Sequence, residues 1–470
     1  MMTPEAAWAE AMRFENRANP FPFFDELRRT PVARVHDDLY VVTGYRELRT
    51  LLHDPRLSAD ASRSPLMAKT TTAAPDDLAV GYAPKQSFIA SDPPEHDRMR
   101  RQVMRHFAPP HSPGLIPGTE PDIQQLCNDL LDTVRAKGDN RFDVVDEYAY
   151  PVPVSVICKI MGVPVEDEPR FHTWIFGVLA GIDLSPDAAT EEGRARAATG
   201  RAAGAAFRQY LRELIDGYAQ EPGPGLISSL LHDDGPDGPM SAEEVVPNAQ
   251  LMFVAGHDST VNTIAHCVLT TLRNPGSLDL LRSRPELIPR AIEETLRLQS
   301  AVQFFPTRSA AADIEVGGTV IPAGAAVILL YGAANRDPVR FPNPNQFNPE
   351  REDNQHVGWG GGIHSCVGGP LARLEVNLAF ENFIRRVENP AWSKIHRPTG
   401  AARCSAARST CGSSSTGSRS EARGHDFVGV TTPWTNAAAG TRCRRCVRAA
   451  AWPTPRSSSG TARRRRGDHR

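Results

Sequence analysis

The sequence predicts a mainly α-helical fold with small β-sheets, built as a single domain over residues 1–390. Three observations carry that prediction. Apolar residues recur at helical spacing through most of the chain up to about residue 300. Strand-like patterns are confined to short runs, within residues 32–42 and 314–331. A length of 470 residues with 40% hydrophobic and 23% charged side chains supplies enough apolar surface for one large core. The formal net charge of -2 conceals a boundary: from Ala391 onward 16 Lys and Arg face 3 Asp and Glu, whereas residues 1–390 hold 37 against 52.

Taken in order, the N-terminal stretch has neither a basic start followed by an apolar region nor any run near the ~18 apolar residues of a membrane span. A cytoplasmic, soluble protein without a membrane anchor is therefore expected. "VARVHDDLYVV" then alternates about Asp37-Asp38 as a β-hairpin does. The longest predicted helix opens at Ser241 with Glu244 three residues on, a capping box, and runs to the stop signal Asn274–Gly276. A second helix covers Pro285–Gln299, with the same capping spacing between Ser283 and Glu286. Gly317-Gly318 marks a hairpin, followed by an apolar strand ending at Tyr331. Phe341–Asp353 holds too much Pro and Asn for helix or strand and reads as a loop. Cys127, Cys158 and Cys267 read as small core residues.

Cys366 is different, because "WGGGIHSCVGG" surrounds it with glycines that a buried structural thiol does not need. As a zinc ligand it lacks partners at chelating spacing, since only His364 is near. As a nucleophile it has one neighbouring histidine, which is weak support. An axial thiolate to heme iron uses every part: glycines let the chain lie against a flat ring, backbone N–H groups meet the sulfur, and a helix beginning near Pro370 points its N-terminus at the anion.

These residues resemble the cysteine-ligand loop of the cytochromes P-450, with Trp359 at the aromatic position where Phe is usual, then Gly360, Gly362, His364, Cys366 and Gly368. Further motifs stand in the family's order. Glu294 and Arg297 in "EETLR", with Arg351 in "FNPER", match its structural triad. Asp258 and Ser259 in "AGHDST" match the acid and hydroxyl of its distal-helix proton relay, with Thr260 the next choice; Ser259 stands where Thr is usual. A helix opened by small residues near Gly256 is part of that expectation. His96, Arg100, Arg308 and His364 match places that bind the heme propionates, and Met252, Ala255, Val302, Phe304 and Phe305, with segments 63–89 and 170–200, match the substrate pocket.

The resemblance covers residues 20 to 388, the acidic body. It implies the cytochrome P-450 fold, heme b ligated by Cys366, and O2 as co-substrate. The implied reaction inserts one oxygen atom into an apolar organic substrate. A separate ferredoxin or flavodoxin with its NAD(P)H reductase would bring electrons to a monomer that binds no nucleic acid and no membrane. A heme-thiolate isomerase or peroxygenase, a sensor, and a catalytically impaired homologue are the rival readings.

Residues 391–470 read as a basic, low-complexity tail, disordered or translated out of frame. Cys443 and Cys446 lack a second well-spaced pair for zinc, and Arg463–Arg466 form an isolated basic run. An out-of-frame tail would leave a terminal β element near the pocket missing; sequencing the gene across the codons for residues 395–410 decides it.

Overall fold

The computed structural model describes residues 1–16, 18–67, 86–107, 112, 114–138, 141–181, 190–304, 307–393 and 429–431. The chain divides into a unit Met1–Asn436 and a unit Ala437–Arg470, the latter outside the described residues. Helices dominate the first unit, as expected.

At the N-terminus, α1 (Pro4–Met12) is capped by Thr3, and α2 (Phe21–Arg28) follows. The Asp37-Asp38 turn joins β1 (Val32–His36) to β2 (Leu39–Val42), and α3 is Tyr45–Leu51. With β3 (Leu57–Ser58), β5 (Arg308–Ala310) and β8 (Ala326–Leu329) they build a sheet in the order β1-β2-β8-β5-β3. Its one parallel pairing runs from Leu39 opposite Ala326 to Val42 opposite Leu329. The Gly317-Gly318 hairpin forms between β6 (Ile314–Val316) and β7 (Thr319–Ile321), both glycines at positive φ.

The helical body comprises α4 (Glu95–Phe107), α5 (Leu115–Ala136), α6 (Pro151–Met161), α7 (Glu168–Gly181), α8 (Glu191–Gln220), α9 (Leu226–Leu231) and α10 (Ala242–Arg273). After these come α11 (Ser277–Ser283), α12 (Ile288–Leu298), α13 (Tyr331–Ala334) and α14 (Gly369–Arg386). The capping box of α10 is present, and over 32 residues this helix packs against α6, α8, α12 and α14. It is buried along almost its whole length, which is why its apolar residues show no single face. Phe253 meets Phe171 and Phe207 at ring separations of 4.8 and 5.7 Å, tying α10 to α7 and α8. Cys127, Cys158 and Cys267 are buried in this core.

Two expected boundaries shift. The spacing of Ser283 and Glu286 makes no capping box: Ser283 still belongs to α11 and its hydroxyl donates to the Leu280 carbonyl, while Arg284 takes the Glu286 carboxylate at 3.1 Å. Pro285–Leu287 is a 3-10 turn, and α12 starts only at Ile288. The apolar strand ends at Leu329, and Tyr331 opens α13, where Gly332 N–H donates to the Gln303 carbonyl. Phe341–Asp353 is irregular and ordered, held by side-chain bonds to its carbonyls.

Beyond residue 390, β9 (Ala391–Ser393) and β10 (Gly429–Thr431) form a three-stranded antiparallel sheet with β4 (Arg141–Asp143), β10 in the middle. The Arg273 guanidinium at the end of α10 lies 4.9 Å from the centre of the Trp392 ring. The sheet therefore crosses the composition boundary at 390. Cys404, Cys411, Cys443, Cys446 and Arg463–Arg466 lie outside the described residues.

Candidate functional site

A cavity lies between α10 and the loop that carries Cys366. Met252, Ala255, Gly256, Ser259, Thr260 and Thr263 line it from α10; Trp359, Gly360 and residues 364–368 line it from the loop; Leu371, Glu375 and Val376 line it from α14. Among the four described cysteines only Cys366 has appreciable accessible surface, and that surface opens into this cavity within the protein.

Local chemistry shapes the loop. Gly360 and Gly362 sit at φ +69° and +63°, and a Cβ on Gly362 would stand 2.0 Å from the Leu52 carbonyl oxygen, so only glycine fits there. Trp359 carbonyl accepts the Cys366 N–H at 2.9 Å, which closes the loop on the cysteine. Pro370 occupies the first turn of α14, whose start presents the N–H groups of Gly368 and Gly369 to the sulfur. Burial pushes the Cys366 thiol up, and those two N–H groups with Arg100 and Arg373 oppose the rise. The donors favour the thiolate without completing its stabilisation, an arrangement suited to a metal that binds the anion.

Arg100, Arg308 and His364 line the cavity, and His96 packs against His364. His96 and His364 stand with ring centres 4.5 Å apart. His96 Nε2 and His364 Nδ1 are buried without a hydrogen-bond partner. Arg100 donates to the Ser365 carbonyl at 2.8 Å, and buried Arg308 donates to the Ile89 carbonyl at 3.3 Å. Burial, then the neighbouring Arg308, hold His364 at about 2, so it serves as a neutral ring in this setting. Desolvation also lowers both arginines below the usual guanidinium range. Unpaired ring nitrogens beside two desolvated guanidinium groups fit an anionic guest with several acceptor oxygens, which the two propionates of heme supply. Ion pairs from Arg98 to Glu244, Arg101 to Asp237 and Arg105 to Asp234 fasten α4, which carries His96 and Arg100, to α10 and the segment before it.

The expected opening of α10 is not seen. The helix is continuous through Gly256, and Ser259 Oγ donates to the Ala255 carbonyl at 2.8 Å, a back-bond that ties the hydroxyl to its own helix. Ser259 and Thr260 line the cavity; Asp258 does not, and its buried carboxylate accepts from Asn262 Nδ2 at 3.0 Å. Met252, Ala255 and Val302 line the cavity as expected, with Phe88 and Ile89 from the segment 63–89. Phe304 is instead packed edge-on against Trp8, 6.1 Å between ring centres, drawn into the N-terminal apolar cluster. Phe305, residues 68–85 and residues 182–189 lie outside the described residues, and no described residue of 170–200 lines the cavity.

Glu294, Arg297 and Arg351 come together as expected. Arg297 Nε and Nη2 each donate to Glu294 at 2.8 Å, Arg351 Nε reaches the same carboxylate at 3.1 Å, and Arg297 also holds the Asn335 and Pro344 carbonyls. Glu294 and Arg297 are fully buried, unlike the surface pair that their spacing alone suggests. Two acids escaped the sequence reading. Glu293 accepts from His356, Trp359 and Arg373 at 2.9, 2.9 and 2.7 Å. Burial raises its pKa, and these donors together outweigh burial and bring the carboxyl to about 2. Glu375 is buried on the cavity wall with Oε2 unpartnered, and desolvation lifts it to about 8. Adjacent acids in "EETLR" hinted at the first; nothing in sequence marks the second.

Among the described residues no group of three His, Cys, Asp or Glu side chains makes an alternative metal site, and no helix is long and apolar enough to cross a membrane. The cytochrome P450 family profile matches residues 201–390. Cytochrome P450 107B1 of Saccharopolyspora erythraea is 36% identical over 369 residues, 77% of this chain and 86% of that protein. Vitamin D(3) 25-hydroxylase of Pseudonocardia autotrophica is 37% identical over 368 residues, 77% of this chain and 84% of its own. The ligand-free crystal structure of Mycobacterium smegmatis CYP164A2 superposes with a TM-score of 0.76 at 32% identity, covering 91% of this chain and 100% of that one. The thiolate loop, the cationic rim and the buried triad thus have a common explanation: the chain belongs to the cytochrome P450 family of heme-thiolate monooxygenases.

Proposed function

We propose that the chain holds heme b between α10 and the Cys366 loop and inserts one oxygen atom of O2 into an apolar organic substrate, the second oxygen leaving as water with two electrons and two protons. The observation that carries this reading is the convergence of Cys366, its two backbone N–H donors and His364 on one cavity, with His96 packed against the His364 ring and a nitrogen of each histidine unpartnered. Bound there, the heme supplies the activation of O2.

The chain's own residues do the rest. Cys366 would hold the iron through its sulfur, positioned by the Trp359 carbonyl and the start of α14. His96, Arg100, Arg308 and His364 would hold the propionates. Met252, Ala255, Val302 and Ile89 present apolar walls that favour an apolar guest and exclude water. Ser259 Oγ and Thr260 stand on the cavity side of α10 and offer hydroxyls for protons, Ser259 on giving up its bond to Ala255. Asp258, one residue earlier and outside the cavity lining, would join that relay only by leaving Asn262 Nδ2. A relative that hydroxylates vitamin D(3) supports a bulky apolar substrate. Electrons would come from a ferredoxin or flavodoxin and its NAD(P)H reductase, the protein acting as a cytoplasmic monomer.

The test is the spectrum of the reduced, carbon monoxide-bound protein purified with heme. A strongly red-shifted Soret band that Cys366→Ala abolishes is expected; absence of heme uptake by the wild type sinks the proposal. Turnover driven by NADH through a ferredoxin system then checks oxygenation.

A further inference from the structure

Side by side in "EETLR", two acids serve two different segments. Glu294 faces inward to Arg297 and Arg351 and takes the backbone N–H of Asn348 at 3.0 Å, which secures the irregular stretch 341–353. Glu293 faces the loop that carries Cys366. Its Oε2 accepts both His356 Nε2 and Trp359 Nε1, and its Oε1 accepts Arg373 Nε.

Each donor belongs to a part of the thiolate mount. His356 begins the loop, and its Nδ1 accepts the Gly358 N–H at 3.1 Å, so its hydrogen sits on Nε2 and points at Glu293. Trp359 is the residue whose carbonyl receives the Cys366 N–H. Arg373 is on α14, one turn beyond the N–H groups that meet the sulfur, and its guanidinium lies 4.4 Å from the centre of the Trp359 ring. The indole N–H is thus committed to a carboxylate, while the sulfur's own donors are Gly368 and Gly369. A phenylalanine at position 359 would keep an aromatic ring there, fill only part of the indole's space and leave Glu293 one donor short.

We propose that Glu293 is a positioning residue for the thiolate: through the Trp359 indole it fixes the loop that carries Cys366, and as a held anion it adjusts the electron affinity of the iron bound there. The inference rests on the heme-thiolate reading above. A hydrogen bond donated by the indole to a part-buried carboxylate is directional enough to set the loop, and a fixed negative charge beside the site opposes gain of an electron.

Trp359→Phe removes the N–H and keeps an aromatic ring, though a smaller one; Glu293→Gln removes the charge and keeps the size. Both are prepared as heme-loaded full chains and read by redox titration, by the carbon monoxide difference spectrum and by thermal melting. Glu293→Gln is expected to raise the ferrous-to-ferric ratio at a fixed poise at least threefold. Trp359→Phe is expected to change that ratio at least twofold, and the double variant to depart from the product of the two single effects, as coupled groups do. Failure of Trp359→Phe to retain the red-shifted band, with its apoprotein melting as the wild type does, also supports the proposal. Ratios within 1.5-fold of wild type in both single variants, or loss of heme only together with a collapsed melting transition, would overturn it in favour of plain structural support. A wild type without a red-shifted band dependent on Cys366 overturns the heme-thiolate reading instead, and the two failures are thereby distinguished.

Discussion

Replacing Glu375 by glutamine should stabilise the protein relative to the wild type by an amount that grows as pH rises. The carboxyl is 2% exposed, lies among Leu371, Val376 and Ala372 on the cavity wall, and has an unpartnered oxygen. Desolvation raises its pKa from 4.5 to about 8. The sign follows from proton binding: between those values the unfolded chain has released the proton and the folded chain still holds it, so stability falls with rising pH and levels off above the folded value. At about 1.36 kcal/mol per pKa unit, the full loss is about 5 kcal/mol by pH 8, a ceiling because a site of this kind relaxes or admits water. Glutamine removes the titration at almost constant volume. Urea unfolding of wild type and Glu375→Gln in parallel from pH 4.5 to 8.5 should show a difference that is small at the acid end and widens by several kcal/mol toward pH 8. A difference that stays flat across this range would refute the reasoning and show that Glu375 ionises normally.

Breaking the triad with Arg297→Ala leaves Glu294 buried beside only Arg351, and should cost about 3–5 kcal/mol, visible as a lowered melting temperature and soluble yield. Gly362→Ala places a Cβ 2.0 Å from the Leu52 carbonyl at φ +63°, whereas a Cβ on Gly368 meets nothing within 4 Å. The first is expected to destabilise the fold by well over ~1 kcal/mol and the second to change it little, as measured by thermal melting. Ser259→Ala should lower product formed per NADH consumed, and Ser259→Thr should retain or improve it; equal coupling in all three proteins removes Ser259 from the proton relay.

Residues whose role is fixed by backbone pattern were legible from sequence. The capping box at Ser241 and Glu244 and the Gly317-Gly318 turn are local chemistry, and both form where expected. Cys366 was legible because its glycines have no use in an ordinary core. Glu293 and Glu375 were not, since a carboxylate's partners come from segments distant in sequence: Arg373 is eighty residues from Glu293, and the wall around Glu375 is assembled from several elements. Phe304 misled for the same reason, as Trp8 competes for its ring from the far end of the chain. The bond from Asn262 to Asp258 was within reach, because residues four apart on a helix are neighbours.

The parallel pairing of β2 with β8 also constrains the order in which the protein can be made. Leu39–Val42 leaves the ribosome while its partner Ala326–Leu329 is still some 284 codons away. At ~5–20 residues per second that interval is roughly 15–60 s. Throughout it the hairpin β1-β2 has an open edge, and the apolar cluster of Phe24, Leu27, Ala33 and Val41 lacks Ile328, Leu330 and Ala333. The β1-β2 hairpin therefore finds its place only after most of the chain has been made, and a nascent chain stalled before residue 326 presents an unpaired strand to chaperones and proteases. Vectorial synthesis and final topology run in opposite directions here, so slow decoding upstream of Ala326 lengthens the vulnerable interval without touching a single residue of the finished site.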